Sequence, residues 1–153
     1  MKPDEIDLLI LQELQRDARI TNQELAERVS LSPSPCLRRV RKLEEAGVIS
    51  GYTAVIDQAK VGLPISAFVR VTLEQQAAEV FAQVEAQISA LPNVVDAYLL
   101  AGDQDYLLRV VAASFEEYEQ FIRTELRHIP GLASAQTTFG YKATKVLSPL
   151  PIR

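Results

Sequence analysis

The stretch Leu31-Ser32-Pro33-Ser34-Pro35-Cys36-Leu37-Arg38-Arg39-Val40-Arg41-Lys42-Leu43-Glu44-Glu45-Ala46-Gly47 reads as one helix with two unlike faces. Serine followed by proline suits an N-cap and the first helical position, because a donor lost there has no intrahelical partner anyway. Two such starts occur, Ser32-Pro33 and Ser34-Pro35, so the boundary is open by about one turn. Gly47 ends the run. At about 100° per residue, Cys36, Leu37, Val40, Leu43 and Gly47 gather on one side. Ser34, Pro35, Arg38, Lys42 and Glu45 gather on the other, with Arg41 beside them and Arg39 on the flank. From Ser34 to Lys42 there is no acid at all. A stripe that packs and an outer face that is basic are the division a DNA-recognition helix requires. An ordinary solvated helix face would look similar, so the neighbouring segments have to decide.

Those segments are helical too. Ile6, Leu9, Ile10 and Leu14 recur at helical spacing and predict a helix from about Asp4 to Arg16. Thr21 with Glu24 three residues on is a capping-box spacing, opening a second helix that carries Leu25, Ala26 and Val29 and stops near Ser30. After Gly47, residues 48–56 read as a strand. Three helices, a tight connection before the third and then a strand form a winged helix-turn-helix pattern over residues 1–50. Residues 51–62 are expected to be strand and linker.

Beyond the linker the periodicity changes. Residues 65–73 read as a strand, Ala77 to Leu91 as a helix, and 94–100 and 106–112 as two strands joined by Ala101-Gly102-Asp103-Gln104-Asp105. Ser114 with Glu117 has capping-box spacing and opens a helix carrying Tyr118, Phe121, Ile122 and Leu126. Pro130-Gly131 breaks it, and Ala133 to Tyr141 is the last strand. The order βαββαβ is the ferredoxin-like arrangement. The expected class is therefore α+β: a winged helix-turn-helix, then a ferredoxin-like domain over residues 63–153 that includes the Pro- and Leu-rich tail.

Composition narrows the function classes. The 153 residues are 48% hydrophobic and 24% charged, which excludes disordered, collagenous and low-complexity chains. No apolar run approaches the roughly 20 residues of a membrane span, and the N-terminal residues are charged at once, so neither a span nor a secretory leader is expected. One cysteine and one histidine leave no internal disulfide and no Cys/His zinc set, and the expected location is the cytoplasm. The net charge of −4 hides an uneven distribution, since an acidic body carries one short basic stretch.

Along nearly its whole length the chain resembles the Lrp/AsnC (feast/famine) family of prokaryotic transcription regulators. The resemblance rests on Leu25-Ala26, on the run from Leu31 to Arg39, on Leu43-Glu44-Glu45-Ala46-Gly47-Val48-Ile49 and on Gly51-Tyr52-Thr53-Ala54. It rests independently on Gly102-Asp103-Gln104-Asp105-Tyr106-Leu107-Leu108 and Pro130-Gly131. It implies a second half that senses a small amino acid, and homodimers that associate further to tetramers or octamers. The final strand, with Thr137-Thr138-Phe139-Gly140-Tyr141, and the tail Lys145 to Arg153, into which Pro149 is inserted, depart from the family pattern.

The candidate DNA contacts are Ser32, Ser34, Pro35, Arg38, Arg39, Arg41 and Lys42. Arginine offers two donors to O6 and N7 of guanine, which makes Arg38 the choice for base readout, while Lys42, Arg41 and the serine hydroxyls suit phosphates. The expected target is a pseudo-palindromic double-stranded operator read by a dimer. By the resemblance, Gly102, Asp103, Gln104 and Asp105 bind the amino-acid effector, with Thr137 and Thr138 on a neighbouring strand adding hydroxyls. The plain reading of residues 102–105 is a hairpin turn, which glycine and aspartate favour regardless. Asp103 and Asp105 alone are too few oxygens for a hard cation. No cofactor, catalytic group or metal is expected. Two other function classes are weighed: an architectural, effector-independent DNA-wrapping protein using the same basic helix, and an enzyme or metabolite-binding module built on the ferredoxin-like half. Cys36 reads as a packing residue, His128 as a helix C-terminal cation, and Tyr106, Tyr118 and Phe121 as core.

Overall fold

A computed structural model describes residues 2–152. The chain divides into two compact units, Met1–Val55 with Lys145–Arg153, and Ile56–Thr144. The tail thus groups with the first unit, whereas the sequence pattern places it with the second.

The first unit holds three helices, α1 (Glu5–Arg16), α2 (Asn22–Arg28) and α3 (Pro33–Glu45). Each N-terminus is set locally. Asp4 accepts from the Asp7 amide while Asp7 returns a bond to the Asp4 amide, and Thr21 and Glu24 do the same for α2. Of the two possible starts, α3 uses Ser32-Pro33. The turn between α2 and α3 closes with Leu31 N donating to Ala26 O (2.8 Å) and Ser30 N to Glu27 O (3.2 Å). This is a Schellman pattern whose left-handed position is Ser30 at φ 56°, a conformation that costs a non-glycine residue about 1 kcal/mol. The same pattern ends α3, where Gly47 takes φ 68° without that cost. Ile10, Leu25, Ala26, Val29, Cys36 and Leu43 form the core of this unit. Leu43 and Cys36 are fully buried, so Leu43→Ala would cost roughly 3 kcal/mol by loss of contacts and an unfilled cavity.

The strand expected at residues 48–56 does not form. A strand needs a neighbour for its backbone groups, and here Val48 N and Ile49 N are both spent on Leu43 O, at 2.9 and 3.1 Å. Tyr52 is held instead by its hydroxyl, which donates to Glu44 (2.9 Å). Partial burial and that carboxylate push the phenol up to about 12.

The second unit runs β1 (Ile65–Leu73), α4 (Ala78–Ala90), β2 (Val94–Leu99), β3 (Tyr106–Ala112), α5 (Phe115–Thr124) and β4 (Leu132–Phe139). All pairings are antiparallel and the strand order is β2-β3-β1-β4, the ferredoxin-like sheet. Alternation along β1 and β3 sends Ala67, Val69, Val71 and Leu73, and Tyr106, Leu108, Val110 and Ala112, to one face. Val84 and Ile88 of α4 and Tyr118 and Phe121 of α5 cover that face. Ser114 caps α5 by accepting from Glu117 N (3.1 Å), but the Glu117 carboxylate returns to Ala113 N (3.0 Å), one residue before the expected box partner. Before β4 the chain turns at Gly131, φ 86°, where an added Cβ would stand 2.9 Å from Val80 Cγ1. His128 lies in a short 3-10 turn after α5.

Candidate nucleic-acid interface and effector loop

The outer face of α3 forms an open groove lined by Ser34, Leu37, Arg38, Arg41, Lys42 and Glu45. Four of the seven sequence-selected DNA contacts therefore stand together. Leu37 joins them rather than the core, 39% exposed, because it lies about 100° round the helix from Cys36, at the edge of the buried stripe. Among the described residues Arg38, Arg41 and Lys42 form no ion pair, whereas Arg16, Arg28, Arg39, Lys60 and Arg109 do. Their charges face outward without internal neutralisation. Ser32 sits at the N-cap, yet its side chain caps nothing in α3, which leaves the hydroxyl available at the positive end of the helix. Pro35 is half-buried beside it.

Arg39 is not brought to this groove. It lies about 60° round the helix from Cys36, on the side facing α1, and its Nη1 reaches both Asp4 Oδ2 and Asp7 Oδ1 at 2.7 Å. Asp7 is 5% exposed, a buried carboxylate that needs such a partner. The bond from the Asp7 amide, and then the Arg39 guanidinium, hold Asp4 below the usual carboxylate range. Asp4 and then Asp7 raise Arg39 in turn. The arginine that sequence groups with the DNA face is instead a strut fixing α3 on α1. The Asp4-x-x-Asp7 capping spacing was the available signal for its partners. A second fixing point, missed in the sequence, is Asn22, whose Nδ2 donates to Pro33 O (2.9 Å) and joins the first turns of α2 and α3. Cys36 is fully buried and its burial raises the thiol, as befits a packing residue.

The effector-loop candidates are less uniform. Ala101, Gly102 and Asp103 are exposed and Gln104 is half-buried. Asp105 is 5% exposed, and its carboxylate accepts from Leu73 N (2.7 Å) and Gln76 Nε2 (3.0 Å). Its backbone bridges too, Asp105 N donating to Val71 O and Leu100 N donating to Asp105 O. Asp105 therefore ties the loop to the end of β1. Thr137 and Thr138 are not on a strand next to the loop, because β1 separates β4 from β3. They also point to opposite faces, as neighbours on a strand must. Thr137 turns to the helix side and meets the Tyr118 hydroxyl, while Thr138 pairs opposite Phe68 on the helix-free side. Among the described residues no three His, Cys, Asp or Glu side chains converge as a metal site, and no helix is long and apolar enough to cross a membrane.

Comparison with known proteins matches both units. A family model described as winged helix-turn-helix DNA-binding covers residues 3–50, and one described as the Lrp/AsnC ligand binding domain covers residues 66–150. The Bkd operon transcriptional regulator of Pseudomonas aeruginosa is 40% identical over 149 residues, 97% of either chain. The leucine-responsive regulatory protein of Rhizobium meliloti is 42% identical, over 93% of this chain and 91% of its own. Among solved structures, a transcriptional regulator from Neisseria meningitidis in complex with L-Met superposes with a TM-score of 0.90 at 37% identity. The match covers 98% of this chain and 97% of that one. These relatives are transcriptional regulators, not enzymes.

Proposed function

This chain belongs to the Lrp/AsnC family of DNA-binding transcriptional regulators, and we propose that it reads a specific operator under the control of a small amino acid. The observation that carries the reading is the groove of α3, in which Arg38, Arg41 and Lys42 stand together without an ion-pair partner, backed by a strut that removes Arg39 from it. Arg38 donates to a guanine edge in the major groove. Arg41, Lys42, Ser32 and Ser34 take phosphates, with Pro35 shaping the entry of the helix. Two copies present two such helices, so the operator is pseudo-palindromic with half-sites about one turn apart or a multiple of it.

The second unit supplies the control. A free amino acid needs amide donors for its carboxylate and acceptors for its ammonium, and Gly102, Asp103 and Gln104 offer both from an exposed loop. Asp105 holds that loop in place. On any one side of the sheet only one of Thr137 and Thr138 can contribute. The L-Met complex of the Neisseria relative supports this class of ligand. Dimers associate further to tetramers or octamers, and the effector biases that assembly in the cytoplasm. Reciprocity then requires DNA and effector to alter each other's affinity by the same factor.

The test is a gel-shift titration on the DNA upstream of the chain's own gene, with competitor DNA, repeated with each of the twenty amino acids. Specific binding shifted by one or a few of them is expected. Binding indifferent to all would remove the effector, and no preference over competitor would remove the operator.

A further inference from the structure

The C-terminal tail, which neither the DNA face nor the effector loop uses, returns to the first unit. There it meets a groove lined by Leu8, Leu11 and Leu14 of α1, by Ala18 just beyond that helix and by residues 48–53. Leu150 and Ile152 lie in it. What holds them is largely backbone recognition. The Gln15 amide makes a two-way pair with one residue, Nε2 donating to Leu150 O (3.3 Å) and Oε1 accepting from Leu150 N (2.6 Å). One helical turn earlier Gln12 Nε2 donates to Ile152 O (3.2 Å). Two amides on one face of α1 thus bond the backbone of Leu150 and Ile152, the two ends of a tight turn closed by Ile152 N donating to Leu150 O.

We propose that this groove is a peptide-docking site whose occupant is the chain's own residues 149–152, held in cis. Three features of the chain fit that occupant. Pro149 and Pro151 flank Leu150 and have no amide to satisfy, and Ile152 N donates to Leu150 O (2.8 Å) across Pro151, so the segment is pre-shaped as a tight turn. Leu150 remains 72% exposed, so the contact is light enough to open and close. The chain leaves the DNA-binding unit at Val55 and re-enters it at Lys145, so the tail is delivered at high effective concentration without any partner. Docking ties the DNA-binding unit non-covalently to the far end of the chain, a second tether beside the covalent linker, and release leaves the linker alone.

The test places thiols where they disturb neither glutamine, in the full chain carrying Ala18→Cys and Leu150→Cys. Leu150 is held through its backbone, and buried Cys36 does not compete for reagent. A short bismaleimide is expected to give an intrachain cross-link, seen as a faster monomer band. Adding Gln12→Ala and Gln15→Ala should lower its yield several-fold. In the unlabelled chain the Leu150 amide should exchange with solvent several-fold more slowly than those of Val146 and Leu147, and lose that difference in the glutamine variant. A covalent dimer would overturn the proposal in favour of a second copy's tail. A cross-link indifferent to the glutamines, or a Leu150 amide as fast as its neighbours, would overturn docking altogether.

Discussion

The outer face of α3 and the loop at residues 101–105 belong to one chain and differ in how they are built. The proposed DNA face is made by one helix. Residues three and four apart become neighbours automatically, so Ser34, Arg38, Arg41 and Lys42 stand together through the helical period alone. The effector candidates come from that loop and from β4, and the sheet order separates the two, with β1 between β3 and β4. One acid of the loop is exposed and the other is an internal brace. Proximity that follows from local geometry can be read along a chain, whereas proximity that depends on which strands pair cannot.

The contrast can be broken hardest at Asp105. If its carboxylate is a brace, Asp105→Ala strands the buried Leu73 amide and should cost about 3 kcal/mol of unfolding free energy, measured by urea denaturation without any amino acid present. A loss below about 0.5 kcal/mol, with amino-acid binding gone, would make Asp105 a ligand contact instead. Next comes Arg39. Arg39→Ala leaves Asp7 buried without its partner and should cost about 2 kcal/mol, discounted because Arg39 is partly exposed. An unchanged urea midpoint combined with weaker DNA binding would return Arg39 to the DNA face.

The smallest effect is one of pH. Asp4 is held below its ordinary carboxylate value in the folded chain, so its contribution is present above the unfolded value and is lost as pH falls through the folded one. The difference in melting temperature between the natural chain and Asp4→Asn should therefore be full near pH 7, narrow below about pH 4 and vanish in stronger acid. A gap that persists unchanged at the lowest pH would rule out the ionised Asp4 as its source.

Much of the fold was legible for the same reason as the DNA face. Thr21 with Glu24, Gly47, and the alternation of β1 and β3 are short-range signals, and each names its own element. The misread parts all depend on something distant. Residues 48–56 have strand composition but no neighbouring strand among the described residues of this chain. Arg39 lies at the boundary of two faces, and only the position of Asp4 and Asp7 decides which it joins. Gln12 and Gln15 look like ordinary solvated glutamines until a segment about 135 residues away is laid beside them.

The central claim is that neighbouring arginines on α3 do opposite jobs, and Arg38→Ala tests it most directly. Its affinity for operator and for competitor DNA should be measured beside its thermal melt. The account predicts that operator affinity falls about 10- to 100-fold, that competitor affinity changes far less and that the melt is unaltered. Operator affinity equal to that of the natural chain would contradict it.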